Sequence, residues 1–382
     1  MKSFIFLFPI LFMRIAYLCD VVYPWVKGGS ERRNYEILTR ISKKISSHIF
    51  TMKWWKGKAR LKTGNVYIHG VSNPPKSIYR GRRRSIKSAL SYSIHILFNL
   101  SKYRFDFVEC SQSPFIHTIP AKIFSLIRGI PLIFTWHEVW NNYWLKYLGP
   151  IGYFAKILER IILHFPKKII AVSEKTKHDL LGIGIRKNKI VVIPNGIDLN
   201  LIRKIKPAKE KFDIIFVGRL VENKNVNFLL RSVAHLKKVK PKIKVAIIGD
   251  GPERIKLEKL SIKLGIKENL TFFGFLERYE DVIALMKSSK VFAFPSTREG
   301  FSIVCLEALA CGLPVVAIRG QLGIKIREGI DGFLTKFDES EFAKKILDAM
   351  SLKPINYKYI YEYDWNEIAK KYEKMLTSEI IK

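Results

Sequence analysis

The sequence predicts an α/β protein built from two doubly wound parallel-sheet domains, on three observations. Short apolar runs rich in β-branched and aromatic residues alternate with longer stretches of helical periodicity, the pattern of repeated βαβ units. At 382 residues the chain is too long for one typical hydrophobic core. Between two series of such runs, residues 194–211 carry Pro194, Asn195, Gly196, Asp198 and four lysines, a composition that reads as a linker.

Taken in order, Phe4 to Phe12 is strongly apolar but falls short of the ~20 residues that a spanning helix needs. Met13-Arg14 followed by Ile15–Leu18 makes a complete strand start of its own, so Met13 is the expected native start, with a membrane-dipping leading segment as the alternative. The first series of strands is expected at Ile15–Leu18, Phe107–Cys110, Leu132–Thr135, Lys168–Val172 and Ile190–Ile193. The second is expected at Phe212–Val217, Lys244–Ile248, Thr271–Gly274, Val291–Phe294 and Val315–Ala317. The expected domains are therefore 1–193 and 212–353, followed by a tail over 354–382. Two such sheets face each other across a cleft at the strand carboxyl ends, where doubly wound sheets bind ligands.

Lysine and arginine number 67 against 33 acids, a net charge of +34, so polyanions are the expected partners: nucleic acid, anionic lipid or a phosphorylated substrate. No nucleic-acid reader motif accompanies the charge, and nucleic acid is not expected as a partner. The four cysteines, Cys19, Cys110, Cys305 and Cys311, lack C-x-x-C spacing and read as buried thiols of a reducing compartment. Residues 76–104 hold eight basic residues, including Arg82, Arg83 and Arg84, and no acid, with apolar residues interleaved from Ser85 onward. This is either a solvated helix face or a surface-lying helix drawn to anionic lipid.

The most informative stretch is Pro295–Ala317. An apolar strand ends in Pro-Ser-Thr, a Gly-containing turn follows, and helical spacing from Phe301 is closed by Gly312 and Pro314. Glu299 sits in the loop and Glu307 on the helix. On one helix they would stand about 12 Å apart, wider than the 5 to 9.5 Å of a hydrolase's paired carboxylates. The spacing suits two ends of one long ligand. The amides of Phe301, Ser302 and Ile303 at the helix N-terminus form a ready anion site.

This segment resembles the E-x7-E signature of retaining nucleotide-sugar glycosyltransferases of family 4. Other segments occur in the family's order: Gly28-Gly29-Ser30-Glu31-Arg32, Thr135-Trp136-His137-Glu138, Ala171-Val172-Ser173-Glu174, Pro194-Asn195-Gly196-Ile197-Asp198, Val217-Gly218-Arg219-Leu220 with Lys224, and Gly249-Asp250-Gly251-Pro252. The resemblance covers nearly the whole chain and implies the GT-B architecture, with a last helix, beginning near Tyr363-Asp364-Trp365-Asn366, that returns to the first domain. It also implies metal-independent, retaining transfer of a sugar, hexosyl in kind, from a nucleoside-diphosphate sugar to an acceptor hydroxyl of a glycan or lipid-linked sugar, as in cell-envelope glycan synthesis. An epimerase or a phosphorylase of the same fold is the alternative.

Within that resemblance Arg219 and Lys224 hold the diphosphate and stabilise the charge that grows as it leaves. Glu299 takes the sugar and Glu307 the ribose hydroxyls; His137 contacts the sugar. Gly28 and Gly29, lacking Cβ atoms, let backbone amides approach the donor. Gly218, Gly249 and Gly300 with Phe301, Ser302 and Ile303 complete the expected donor site. No D-x-D occurs, so no metal and no cofactor beyond the donor is expected. Where the family commonly carries an acid, this chain has Ile324, in Gly320-Gln321-Leu322-Gly323-Ile324. The first domain handles the acceptor, and the location expected is cytoplasmic, peripheral on the membrane face through segment 76–104.

Overall fold

A computed structural model describes residues 13–76, 79–80, 83–352 and 358–380. The question of Met13 as the start, and part of the basic segment 76–104, lie outside these residues. The chain divides into two compact units, residues 1–194 with 365–382, and residues 195–364.

The first unit holds an eight-stranded sheet. From edge to edge it runs Ile190–Val192, Lys168–Ala171, Leu132–Trp136, Phe107–Ser111, Met13–Leu18, Ile45–Met52, Val66–Ser72 and Arg60–Thr63. Every adjacent pair is parallel except the last, which is a hairpin. Both faces are covered, as parallel sheets require. Side chains of Met13–Leu18 alternate accordingly: Ala16 and Leu18 enter one core, Ile15 and Tyr17 the other. The first core is closed by helices Ile86–Leu100, Thr118–Arg128 and Gly152–Ile162, the second by helices Gly29–Arg40 and Trp365–Ile380.

Helix Trp365–Ile380 is fixed by a buried polar contact as well as by packing. Glu109, on a central strand, accepts from Thr135 Oγ1 and from Tyr372 Oη, each at 2.5 Å. Burial pushes the Glu109 carboxyl above its ordinary range, and those two donors work against the shift. Arg33, 1% exposed, donates Nη2 to Ile193 O at 3.0 Å.

The second unit is a six-stranded, wholly parallel sheet in the order Leu270–Gly274, Val245–Ile248, Phe212–Val217, Ser289–Phe294, Val315–Ile318, Gly332–Thr335. Numbered in sequence this is 3-2-1-4-5-6, which reverses between Phe212–Val217 and Ser289–Phe294 and so creates the crevice where such sheets hold ligands.

Four strands carry too mixed a pattern to stand out as apolar runs: Ile45–Met52, Arg60–Thr63, Val66–Ser72 and Gly332–Thr335. In Ile45–Met52 the residues Ser47, His48 and Thr51 interrupt the apolar signal although all are buried. Two expected boundaries shift. Residues 199–204, inside the expected linker, are a helix, because Asp198 caps it by accepting from Leu201 N at 2.8 Å. Residues 354–364 of the expected tail fall in the second unit, and the helix that joins the first unit begins at Trp365. Ile197 pairs with Asp364 and donates its amide to Tyr363 O, which holds the chain there until that point.

Two outcomes test this packing. Tyr372→Phe removes a donor from a buried carboxylate and should cost about 1–3 kcal/mol of stability in urea unfolding. His48 Nδ1 lies 3.0 Å from His69 Nε2. Burial first, then neighbouring positive charge, pushes His48 down to about 3 and His69 to about 4. Both stay neutral in the fold while an unfolded imidazole, near 6.5, takes a proton. The unfolded state then binds more protons, so stability should fall as pH drops from about 6.5 toward 4. His48→Gln/His69→Gln should flatten that fall; an unchanged pH slope contradicts the assignment.

Candidate active site

The second unit's site forms on the loops that leave adjacent strands at the reversal. Gly218 and Arg219 follow Phe212–Val217, the turn Gly249–Pro252 follows Val245–Ile248, and Pro295–Ser302 follows Ser289–Phe294. The first two loops are hydrogen-bonded together, Gly218 N to Ile248 O at 3.0 Å and Leu220 N to Asp250 O at 2.9 Å. Gly249 has φ +125°, and a Cβ there would stand 2.0 Å from Gly218 O. Its glycine is therefore required by the close approach of these loops.

Lys224 ends a short 3-10 turn, Glu222–Lys224, and Asn225 then takes a left-handed conformation, φ 50°, before helix Val226–Val239. Asn225 Nδ2 donates toward Asn223 O at 3.2 Å, Pro295 O at 3.2 Å and Thr297 Oγ1 at 2.9 Å. Thr297 N returns a bond to Asn223 O at 3.1 Å. These bonds sew the lysine turn to the Glu299 loop. Lys224 Nζ reaches Glu299 Oε1 at 2.5 Å and lies 4.9 Å from the centre of the Phe294 ring. Ser296 Oγ donates to the same carboxylate oxygen at 2.5 Å. The pair is largely shielded, with the Lys224 side chain 19% and the Glu299 side chain 13% exposed. Arg219 is exposed on its own loop.

Glu307 sits in helix Ile303–Ala310, 5% exposed, and accepts from Tyr279 Oη at 2.9 Å. The expected trio of amides is reduced. Ser302 N is committed to Leu322 O at 2.8 Å, which leaves the amides of Phe301 and Ile303 from the trio expected at this helix start. The loop carrying Leu322 seats closely, since a Cβ on Gly323 would stand 2.1 Å from Gly300 O. Ile324 belongs to that loop. Burial raises the Cys305 thiol and pushes Cys311 up to about 12, so neither is a thiolate.

In the first unit, Gly28 is the N-cap residue of helix Gly29–Arg40. Glu31 Oε2 lies 2.1 Å from where a Gly28 Cβ would stand, so a side chain at position 28 would have to displace that carboxylate. His137 follows strand Leu132–Trp136. Gln112 Oε1 accepts from His137 N at 2.8 Å and from Glu138 N at 2.9 Å. Burial, then Arg33, pushes the imidazole down to about 3, so it is neutral at physiological pH. Its Nε2 is buried with no hydrogen-bond partner among the described residues.

Two family models divide the chain between them. Glycosyltransferase Family 4 matches residues 27–201, and Glycosyl transferases group 1 matches residues 199–379. The chain belongs to the group 1/family 4 glycosyltransferases. Among curated relatives, an uncharacterised glycosyltransferase of Methanocaldococcus jannaschii is 27% identical over 352 residues, 87% of each chain. A phosphatidylinositol N-acetylglucosaminyltransferase component of Arabidopsis thaliana is 24% identical over 253 residues, 64% of this chain. The match spans 56% of that Arabidopsis protein's length. Sucrose-phosphate synthase of Thermosynechococcus elongatus superposes with TM-score 0.81 at 17% identity, covering 97% of this chain and 99% of that one. The Anabaena HepE complex with UDP-glucose gives TM-score 0.72 at 20% identity, covering 96% and 100%. These likenesses establish the GT-B fold of two parallel-sheet domains.

Sequence reasoning missed Ser296, Asn225, Tyr279 and Gln112. Ser296 and Asn225 adjoin residues already singled out, so a search for donors beside Glu299 and Lys224 could have found them. Tyr279 meets Glu307 from another helix, and no local signal announces it. Among the described residues no group of three or more His, Cys, Asp or Glu is placed to hold a metal ion.

Asn225 yields a sharp test. Asn225→Ala should cost the second unit about 2–4 kcal/mol, from left-handed strain and lost bonds together. Asn225→Gly should recover the strain part only. Equal melting for parent and both variants would show that the stitch is idle.

Proposed function

We propose that this protein is a retaining, metal-independent glycosyltransferase that moves a sugar from a nucleoside-diphosphate sugar to an acceptor hydroxyl. The observation that carries the reading is the Lys224–Glu299 pair at the reversal of the second sheet, with Arg219 on the neighbouring loop. A lysine ammonium has three donors, and Glu299 engages one of them, so the others remain for a diphosphate oxygen. The shielded setting strengthens that attraction relative to water. When the bond from sugar to phosphate breaks, charge grows on the diphosphate, where Arg219, Lys224 and the Phe301 and Ile303 amides offset it.

Held by Lys224 and Ser296, the Glu299 carboxylate keeps its second oxygen, Oε2, for the hydroxyls of the transferred sugar. Glu307, oriented by Tyr279, accepts from the ribose hydroxyls. His137, neutral and with an unpartnered Nε2, is suited to a sugar hydroxyl rather than to proton transfer. Gly28 and Gly29 remain donor contacts in this reading through their backbones. Transfer on the front face, with the departing phosphate taking the acceptor proton, needs no protein nucleophile. The family's neighbours with bound UDP or UDP-glucose support the donor class. The acceptor is a glycan or lipid-linked sugar, handled by the first unit on the cytoplasmic membrane face. An epimerase or phosphorylase of this fold differs in needing no acceptor hydroxyl.

Nucleotide release from a panel of nucleoside-diphosphate sugars, with and without acceptor, tests the reading, and the anomeric configuration of the product by NMR tests retention. Arg219→Ala and Lys224→Ala should each lower turnover about 100-fold or more, while EDTA leaves the parent unchanged. Near-parent rates in both variants, or abolition by EDTA, would remove the mechanism. Glu299→Gln should depress kcat, whereas Glu307→Gln should weaken binding of the free nucleoside diphosphate. Equal affinity in parent and Glu307→Gln sinks the ribose assignment.

A further inference from the structure

The first sheet reverses direction as the second does. The chain moves outward from Met13–Leu18 through Ile45–Met52 and Val66–Ser72, then returns to lay Phe107–Ser111 on the other side of Met13–Leu18. A parallel sheet is open to a ligand just past the strand carboxyl ends at such a reversal.

A cleft of the first unit lies there. Asp20 is two residues past Met13–Leu18, Met52 ends its strand with Trp54 close behind, and Pro114 is three residues past Phe107–Ser111; all four line the cleft. Ser85 and Ser88, at the start of helix Ile86–Leu100, complete it. Its space, solvent-facing mouth included, is about 270 Å³. Pockets for drug-sized ligands run from roughly 300 to 1,000 Å³. The scale is that of one ring rather than of several.

The lining says which kind of ring. Trp54 Nε1 donates to Asp20 O at 2.8 Å. The one polar atom of the indole is spent, so it brings only carbon surface to the cleft, a match for the C–H face of a sugar ring. Ser85 Oγ accepts from Ser88 N at 3.3 Å and from Ser88 Oγ at 3.1 Å. With its lone pairs engaged, the Ser85 hydroxyl keeps a proton to donate, while Ser88 Oγ keeps lone pairs that accept. Asp20, 6% exposed, is the one formally charged residue among the described residues lining the cleft, and no lysine or arginine joins it. In a chain of net charge +34 this cleft carries the opposite sign. A carboxylate accepts from hydroxyls and repels a phosphate or a second carboxylate, so the same group selects and rejects.

We propose that this cleft seats one uncharged, hydroxyl-bearing ring, the sugar that presents the acceptor hydroxyl. Asp20 accepts from its hydroxyls, Ser85 donates to one of its oxygens, and Trp54 covers its C–H face. The role of that ring as acceptor rests on the transfer reading, to which the cleft adds a selection. Phosphorylated and carboxylated sugars are turned away here although the chain as a whole attracts anions.

Saturation-transfer difference NMR on the full chain tests the selection. The probes are methyl glycosides of glucose, galactose, mannose and N-acetylglucosamine, set against the 6-phosphates of glucose, galactose and mannose and against glucuronate. At least one uncharged glycoside should bind, and its charged counterpart should bind about tenfold more weakly or worse. Asp20→Asn should weaken the uncharged sugar about tenfold and narrow its preference over the phosphate. Ser88→Gln is the second variant, since glutamine three residues after a serine cap favours the helix start. Its longer side chain fills the cleft, and binding should fall about tenfold or more. The inference is overturned if no uncharged glycoside binds, if the charged sugars bind as well, or if either variant, folded by circular dichroism, binds as the parent does. Binding of nucleoside-diphosphate sugars to the same sample separates the two readings. A donor bound without any uncharged sugar removes the cleft assignment and leaves the transfer reading, whereas an uncharged sugar bound through Asp20 with no donor bound does the reverse.

Discussion

The second unit depends on a charge pair held between two loops that leave neighbouring strands. Lys224 and Glu299 are 75 residues apart in sequence and meet at 2.5 Å because the parallel sheet places Phe212–Val217 beside Ser289–Phe294. Taking such charges out of water is costly, and the cost is offset only when the remaining polar atoms are satisfied. Ser296 Oγ and the Phe294 ring offset part of that cost, and the Asn225 bonds hold the two loops together. In the proposed reading the consequence is preorganisation: a lysine already fixed and partly shielded would lose little on meeting a diphosphate, so its attraction would be available as the charge develops.

The first unit solves a related problem in a different way. Its sheet buries Glu109, whose two hydroxyl donors come from the neighbouring strand, through Thr135, and from the last helix of the chain, through Tyr372. The chain's end is thereby joined to its first domain by a specific polar contact in addition to apolar packing. On the same sheet, His48 and His69 are kept neutral by burial, and His137 likewise at the strand end. Three neutral imidazoles inside so basic a chain follow from the same rule, that desolvation and surrounding positive charge both disfavour a further cation.

Much of this was legible in the sequence where signals were local. Ten apolar runs marked ten of the sheet strands, because strands buried on both faces read as continuous apolar stretches. The strand–loop–helix order around Glu299 and Glu307 followed from turn residues and helical spacing. What escaped was long-range. Ile45–Met52 hides buried Ser47, His48 and Thr51, whose burial depends on partners far along the chain. The commitment of Ser302 N to Leu322 O is a tertiary fact that no spacing rule contains. The polar linker reading failed at residues 199–204 because Asp198 provides a helix cap within a segment that otherwise resembles a connection.

The account turns on the second unit's strand-end loops being the seat of the donor. A crystal structure with a bound nucleoside-diphosphate sugar tests this most directly. The account predicts diphosphate oxygens on Arg219 and Lys224, ribose hydroxyls on Glu307, and the sugar against Glu299. A donor seated away from these loops, with the Lys224–Glu299 pair untouched by phosphate or sugar, would contradict it.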